Sequence, residues 1–146
     1  MAGEQEGYEI SSDPSRLDIE AIWGFLRTAY WSAGVERDVV ERSVEGSTVF
    51  GLYAPDGSQA GFARLVTDGA TFAWLADLFV FEEHRGHGLG VMLADAAVAR
   101  ASKLGLRQVL LATADAHGVY ERFGFEPTEP GRYMVHRPVG SGTLDE

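Results

Sequence analysis

Glycines at positions 86, 88 and 90 stand in the run EHRGHGLGVML of residues 83–93, with Arg85 directly before them and an apolar segment behind. Such a loop is either a flexible hinge or a surface that holds an anion. The anion reading needs a strand before the loop and a helix after it. Together these aim unpaired backbone N–H groups, and the positive end of the helix, at one point. Glycine lets the backbone approach a ligand with no Cβ in the way, and Arg85 adds a cationic donor. Phosphate suits such a point best. Two better-known phosphate loops fail on spacing. A dinucleotide fingerprint reads G-x-G-x-x-G after an early strand, and a nucleoside-triphosphate loop ends in Gly-Lys-Ser/Thr; here the order is G-H-G-L-G.

Other groups able to do chemistry are few. Asp77 is the one ionisable residue in the apolar run of residues 72–80 (FAWLADLFV), and burying an unpaired carboxylate is costly. It is either a working acid or a structural one bonded to backbone or to an arginine. Arg64 reads as a solvated or ion-paired residue on a strand. Four histidines (His84, His87, His117, His136) have no H-x-x-x-H pair and no cysteine beside them, so no metal site is expected. The absence of cysteine also closes disulfides and thiol nucleophiles, and fits a cytoplasmic protein.

These groups must be positioned by elements that the pattern outlines. Polar, glycine-containing ends at 1–7 and 139–146 are expected to be disordered tails around one domain over 8–138. Tyr8–Ser11 reads as a strand. Ile19, Ile22, Leu26 and Ala29/Tyr30 recur at helical spacing up to Gly34, and Val35, Val39 and Val44 mark a second helix that closes near Gly46. Three strands follow (48–54, 60–67 and 71–81), joined by turns at Pro55-Asp56-Gly57 and Asp68-Gly69 as an antiparallel meander. After the glycine loop come a helix over 89–104 ended by Gly105, a strand over 108–113, and a helix over 117–123 with Asp115 as N-cap and Gly124 past its end. Phe125 and the 132–137 stretch supply the last strands. A helical crossover between two strands implies that they pair in parallel. The fold class is α+β: a mixed, mostly antiparallel sheet of six to seven strands with four flanking helices.

Composition limits the partners. A length of 146 residues, 45% hydrophobic and 23% charged, fits a single globular domain. No apolar run approaches the roughly 20 residues of a membrane span, and no signal peptide is visible. A formal charge of −10 argues against nucleic acid and favours a cationic partner.

In this setting the segment from Asp77 to Gly90 resembles the core motif of the GNAT superfamily of N-acetyltransferases. That motif is a strand followed by Q/R-x-x-G-x-G/A, matched by Arg85, Gly88 and Gly90. The run 119–125 (VYERFGF) resembles the second landmark, a short helix ending Tyr-x-x-x-Gly-Phe. The landmarks stand in the family's order, one helix and one strand apart, and the resemblance covers about residues 8–138. It implies a GNAT-type fold with splayed central strands and acetyl-CoA as cosubstrate, with no metal. Backbone amides of Arg85, Gly86, His87, Gly88, Leu89 and Gly90 would hold the pyrophosphate. The open edge at Leu78, Phe79 and Val80 would pair with the pantetheine arm like an added strand.

The resemblance also assigns chemistry. Tyr120 matches the tyrosine that serves as general acid to the departing thiolate; its other reading is a packing aromatic beside Phe123 and Phe125. Trp74 and Ala76 occupy positions where some relatives carry a base, which leaves the base open. Asp77 falls in a run similar to that of polyamine and thialysine acetyltransferases, where it would attract the acceptor ammonium or take its proton through water. Tyr30 and Trp31 would border the acceptor. His117 is either a proton carrier or a surface residue. The expected activity is direct acetyl transfer to a small primary amine in a ternary complex, since no cysteine exists to carry the acetyl group. A non-catalytic CoA-binding or regulatory module is the alternative. Family members often pair, so a homodimer is compatible with the resemblance.

Overall fold

Local turn chemistry builds most of the sheet. Gly57 takes φ 90°, and Asp56 Oδ1 accepts hydrogen bonds from the backbone N–H and the hydroxyl of Ser58. At the next reversal Asp68 Oδ1 accepts from the N–H groups of Ala70 and Thr71. In the computed structural model, which describes residues 5–138, these turns join β2 (Thr48–Tyr53), β3 (Gln59–Thr67) and β4 (Phe72–Val80). β1 (Glu9–Ser11) extends the antiparallel meander, and β5 (Gln108–Leu110) adds to β4 in parallel, giving the order β1-β2-β3-β4-β5.

Helices cover both faces. α1 (Ile19–Leu26), capped by the Asp18 carboxylate on Ala21 N, and α2 (Arg37–Glu45) lie on one side. They close a core of Ile22, Leu26, Val40 and Val44 against Val49, Phe62 and Phe79. On the other side α3 (Leu89–Leu104) packs Leu89, Leu93 and Ala97 against Phe50, Leu52, Leu65, Ala73 and Leu75. Gly105 ends α3 in the left-handed conformation (φ 75°), and Leu106 N reaches back to Ala101 O, a Schellman closure. A short α4 (His117–Glu121) follows.

The meander, the parallel β4–β5 pair and the bounds of α3 agree with the sequence reading. Five strands form among the described residues rather than six to seven. The expected strands at Phe125 and 132–137 are absent: Pro127 and Pro130 lack donors, Gly131 turns at φ 79°, and Met134 is 96% exposed. Tyr133 and Val135 are strand formers by type, yet such residues make a strand only where the pleat is half-buried and its N–H groups are paired. For the same reason β5 stops at Leu110 rather than 113. α1 stops at Leu26 instead of running on towards Gly34, because Thr28 and Ser32 hydroxyls take carbonyls of its last turn (Phe25 O and Leu26 O). Asp115 does not cap α4; Thr113 Oγ1 accepts from Ala116 N instead. Tails were expected at 1–7 and 139–146. Residues 1–4 and 139–146 lie outside the described residues, whereas Gln5–Gly7 form a turn in which Tyr8 N donates to Gln5 O.

One irregularity shapes β4. Phe62 pairs with Phe79 but Arg64 pairs with Ala76, so Asp77 and Leu78 together face the single Ala63, a β-bulge. The bulge reverses the alternation. Ala73 and Leu75 face α3, but beyond the bulge Leu78 and Val80 do so and Phe79 turns to the α1/α2 side, where it stacks on Phe25 at 4.0 Å. β3 must lie close to this bend, and Gly61 permits it: an added Cβ would stand 2.8 Å from Phe79 O. Gly61→Ala is therefore expected to destabilise the fold by about 1–3 kcal/mol, read as a lower urea midpoint with an unchanged m-value.

Candidate active site

The bulge requires an unusual backbone. Asp77 has φ 55°, the only positive value at a residue other than glycine among the described residues. Left-handed backbone at such a residue costs on the order of 1–3 kcal/mol unless its surroundings impose it, and Asp tolerates it better than most. Here both carboxylate oxygens are held. Arg64 Nε donates to Oδ2 at 2.7 Å, and Trp31 Nε1 donates to Oδ1 at 2.9 Å. Arg64 Nη1 also donates to Ser47 Oγ (3.1 Å), so β3, the head of β2 and the loop between α1 and α2 all converge on one acid. The pair is largely withdrawn from water, with side chains 20% and 11% exposed for Arg64 and Asp77. Charge-assisted bonds in such a setting are short and strong.

The bulge at Asp77 lies just past the last pair between β4 and β5. The two strands pair only from Phe72/Gln108 to Trp74/Leu110. Beyond that they part, and a cleft of about 540 Å³ opens between β4 and residues 111–113 on the α1/α2 side. Tyr30, Trp31, Trp74, Asp77, Leu78 and Tyr120 are among its lining residues. Its lining mixes apolar side chains with polar ones, Ser32, Ser43, Arg64, Asp77 and Thr113 among them.

Tyr120 enters from α4. It is half-buried, edge-on to Phe125 at 5.7 Å, and its carbonyl accepts from the N–H groups of Phe123 and Phe125. Burial pushes its phenol above the ordinary value of 10.0, and neighbouring Tyr30 adds to the shift. A phenol at or above its ordinary value is protonated at neutral pH and so can act as a proton donor.

At the far end of the open edge lies the glycine loop. Gly86 (φ 92°) and Gly88 (φ 74°) need positive φ, and Gly88 is the N-cap of α3. No side chain caps that end, so its first amides are directed at the loop's concavity. Arg85 folds back, its Nε donating to Val80 O at 3.0 Å. Leu89 is buried in the core beneath α3, so only its backbone faces the loop.

Further contacts hold the loop from outside. Gln5 Nε2 donates to Gly88 O (3.1 Å), Tyr8 OH and His84 Nδ1 share a hydrogen bond (3.1 Å), and the Tyr8 ring stacks near His87 at 6.2 Å. His117 and His136 are exposed, and His117 borders a separate hollow between β5 and the 123–133 segment. Among the described residues no three metal-binding side chains gather.

The structure brings Tyr30, Trp31, Asp77, Leu78 and Tyr120 to one cleft; the Arg85–Gly90 loop follows the end of β4 outside that lining, with Arg85 bordering a separate hollow beside α1, and the Phe79 side chain turns into the core. Gln5, Tyr8 and Ser47 escaped the sequence reading, whereas the Arg64–Asp77 pair is one of its alternatives, an acid bonded to an arginine and an ion-paired strand residue. Only Arg64 left a signal, as the one cation on a strand that pairs with an otherwise apolar strand containing one acid.

Comparison with known proteins agrees with this geometry. A family model described as the acetyltransferase (GNAT) family matches residues 9–125. A protein of Gibberella zeae named as a candidate acetyltransferase is 31% identical over 128 residues, covering 74% of this chain and 72% of the relative. The crystal structure of a candidate GNAT-family acetyltransferase from Xanthomonas campestris superposes with a TM-score of 0.83 at 41% identity, covering 92% of this chain and 94% of the other. AAC(6')-Iy, solved with the bisubstrate analogue CoA-S-monomethyl-acetylneamine, shares the fold (TM-score 0.64, 22% identity, 90% and 97% covered).

The clamp on Asp77 has a measurable value. Arg64→Met leaves a nearly buried carboxylate with Trp31 alone, and is expected to cost roughly 2–4 kcal/mol. Adding Asp77→Asn removes the orphaned charge, so the double variant should recover part of that loss in chemical denaturation, a positive coupling in the mutant cycle.

Proposed function

The chain belongs to the GNAT family of acetyltransferases, and on that premise we propose that it transfers acetyl from acetyl-CoA to a small primary amine by direct attack in a ternary complex. The observation that carries this reading is the cleft itself: parted strands lead from a glycine-lined helix N-terminus to a phenol that stays protonated. The residues present fit the cosubstrate. Gly86 and Gly88 form a cradle that L-residues would strain, and the amides that open α3 suit a pyrophosphate. Backbone groups that β4 turns away from β3 beyond Trp74 are free of β5 and suit an amide-bearing arm laid along them. Acetyl-CoA supplies the activated acyl group as a thioester. AAC(6')-Iy, which shares the fold, was solved with a CoA-bearing bisubstrate analogue, and this supports CoA as the cosubstrate class.

The chain's own residues have three tasks. The cleft must hold a neutral amine within reach of the thioester, and its apolar walls favour that form over the ammonium. As the amine lone pair forms the N–C bond, the C–S electron pair goes to sulfur. Tyr120 gives sulfur its proton, and the proton shed by nitrogen returns to the phenolate through solvent. Asp77 acts by position: with its oxygens engaged by Arg64 and Trp31, it fixes the bend that separates the strands. The exposed position of His117 outside the cleft supports a surface residue over a proton carrier.

Thiol release from acetyl-CoA over an amine panel tests the reading. Tyr120→Phe is expected to lower kcat by about 10²–10⁴, with CoA affinity by calorimetry unchanged. Because burial raises the Tyr120 value, activity should be lost only as pH rises above 10.0, where a free tyrosine would already be ionising. Tyr120→Phe should abolish that alkaline limb. Tight CoA binding with no thiol release on any amine would instead identify a non-catalytic CoA-binding module.

A further inference from the structure

The cleft carries information about the acceptor as well as the reaction. Tyr30, Trp31 and Trp74 expose 65%, 41% and 40% of their surfaces, and all three line it, with Leu26, Val35 and Val39 completing the apolar wall. Clustered aromatic exposure of this kind marks a surface meant to be covered. Two of the rings are already fixed. Trp31 is pinned by its bond to Asp77, and the Tyr30 ring stands edge-on to it at 5.1 Å and 87°. A pre-fixed ring gives up little freedom when a ligand packs on it. Trp74 projects from β4 on the same face as Ala76 and its partner Arg64.

Charge on the cleft's floor points the same way. Asp77 and Asp115 are the carboxylates among its lining residues. Asp77 is neutralised by Arg64 at 2.7 Å, and Asp115 sits on the exposed rim. A second ammonium group carried inward would meet the Arg64 guanidinium and not a free acid. A di- or polyamine therefore finds no charge partner in depth, whereas a planar ring finds three aromatic faces.

We propose that the acceptor site takes a primary amine borne on a planar aromatic ring, an arylalkylamine, in preference to aliphatic di- and polyamines. This rests on the acetyltransferase reading above and names its acceptor class. The ring packs among Tyr30, Trp31 and Trp74, and the amine reaches past the Asp77 bulge towards Tyr120. Net charge of −10 still draws any ammonium to the protein, so selection is made in the cleft and not at encounter.

The experiment measures thiol release by the full chain with 2-phenylethylamine, tryptamine, putrescine and spermidine, and calorimetric binding of each amine in the presence of CoA. Ring amines are expected to show kcat/KM about tenfold or more above the aliphatic amines. Trp74→Ala should lower the ring-amine value about tenfold and shrink the ratio to putrescine towards one. Tyr30→Ala, at an exposed position, should act in the same direction and serves if Trp74→Ala fails to fold. Preference for putrescine or spermidine would overturn the assignment while leaving acetyl transfer in place. Ring amines that bind beside CoA without thiol release would uphold the assignment and remove the catalytic reading. Absence of both binding and turnover with ring amines would overturn the assignment.

Discussion

A residue other than glycine resists φ near +55°, and β4 holds Asp77 there because Arg64 and Trp31 grip both oxygens of its carboxylate. Much else depends on that grip. The bulge changes which side chains of β4 face α3, so one strand serves two cores: Ala73 and Leu75 fill one, Phe79 the other. It also follows directly on the three pairs between β4 and β5, where the cleft opens. The ion pair is thus architectural in its location and functional in its consequence.

The two ends of the cleft are built by different means. In the cleft, side chains do the work: Tyr120 is half-buried with its phenol shifted upward, and three aromatic residues set the walls. At the glycine loop, proposed above to hold the pyrophosphate, the backbone does it, through two glycines of positive φ and the uncapped start of α3. Gln5 and Tyr8, far away in sequence, brace that loop through Gly88 O, His84 and His87. A flexible glycine loop is a poor grip until something fixes it, and these contacts supply the fixing.

Much of this was legible in the residues. Turn chemistry at Asp56-Gly57 and Asp68-Gly69 placed the meander, and the apolar spacing with Gly105 placed α3 to the residue. The loop of 85–90 and Tyr120 were visible as motifs. What escaped was whatever depends on distant partners. Nothing in the local pattern around Asp77 shows that Arg64, thirteen residues earlier, comes within 2.7 Å of it. The strand-forming types at 133–135 pointed to a strand that does not form, because burial and pairing, not residue type, decide strands there. The shortened α1 has a similar cause: hydroxyls of Thr28 and Ser32 compete for its last carbonyls, and the chain is released to present Tyr30 and Trp31 to the cleft.

The short ladder between β4 and β5 also divides the molecule along a seam. β2, β3 and β4 are joined by long antiparallel ladders, whereas β5, like β1 at the opposite edge, is attached by only three register pairs, with the packing of α3 beside it. Cooperative opening is easiest where ladders are shortest. The amides of β5 should thus exchange with solvent through a partial opening that leaves the meander intact. The proposed cosubstrate, laid between the strands, would act as the missing rungs, and the sheet would then be complete only while the reactant is held.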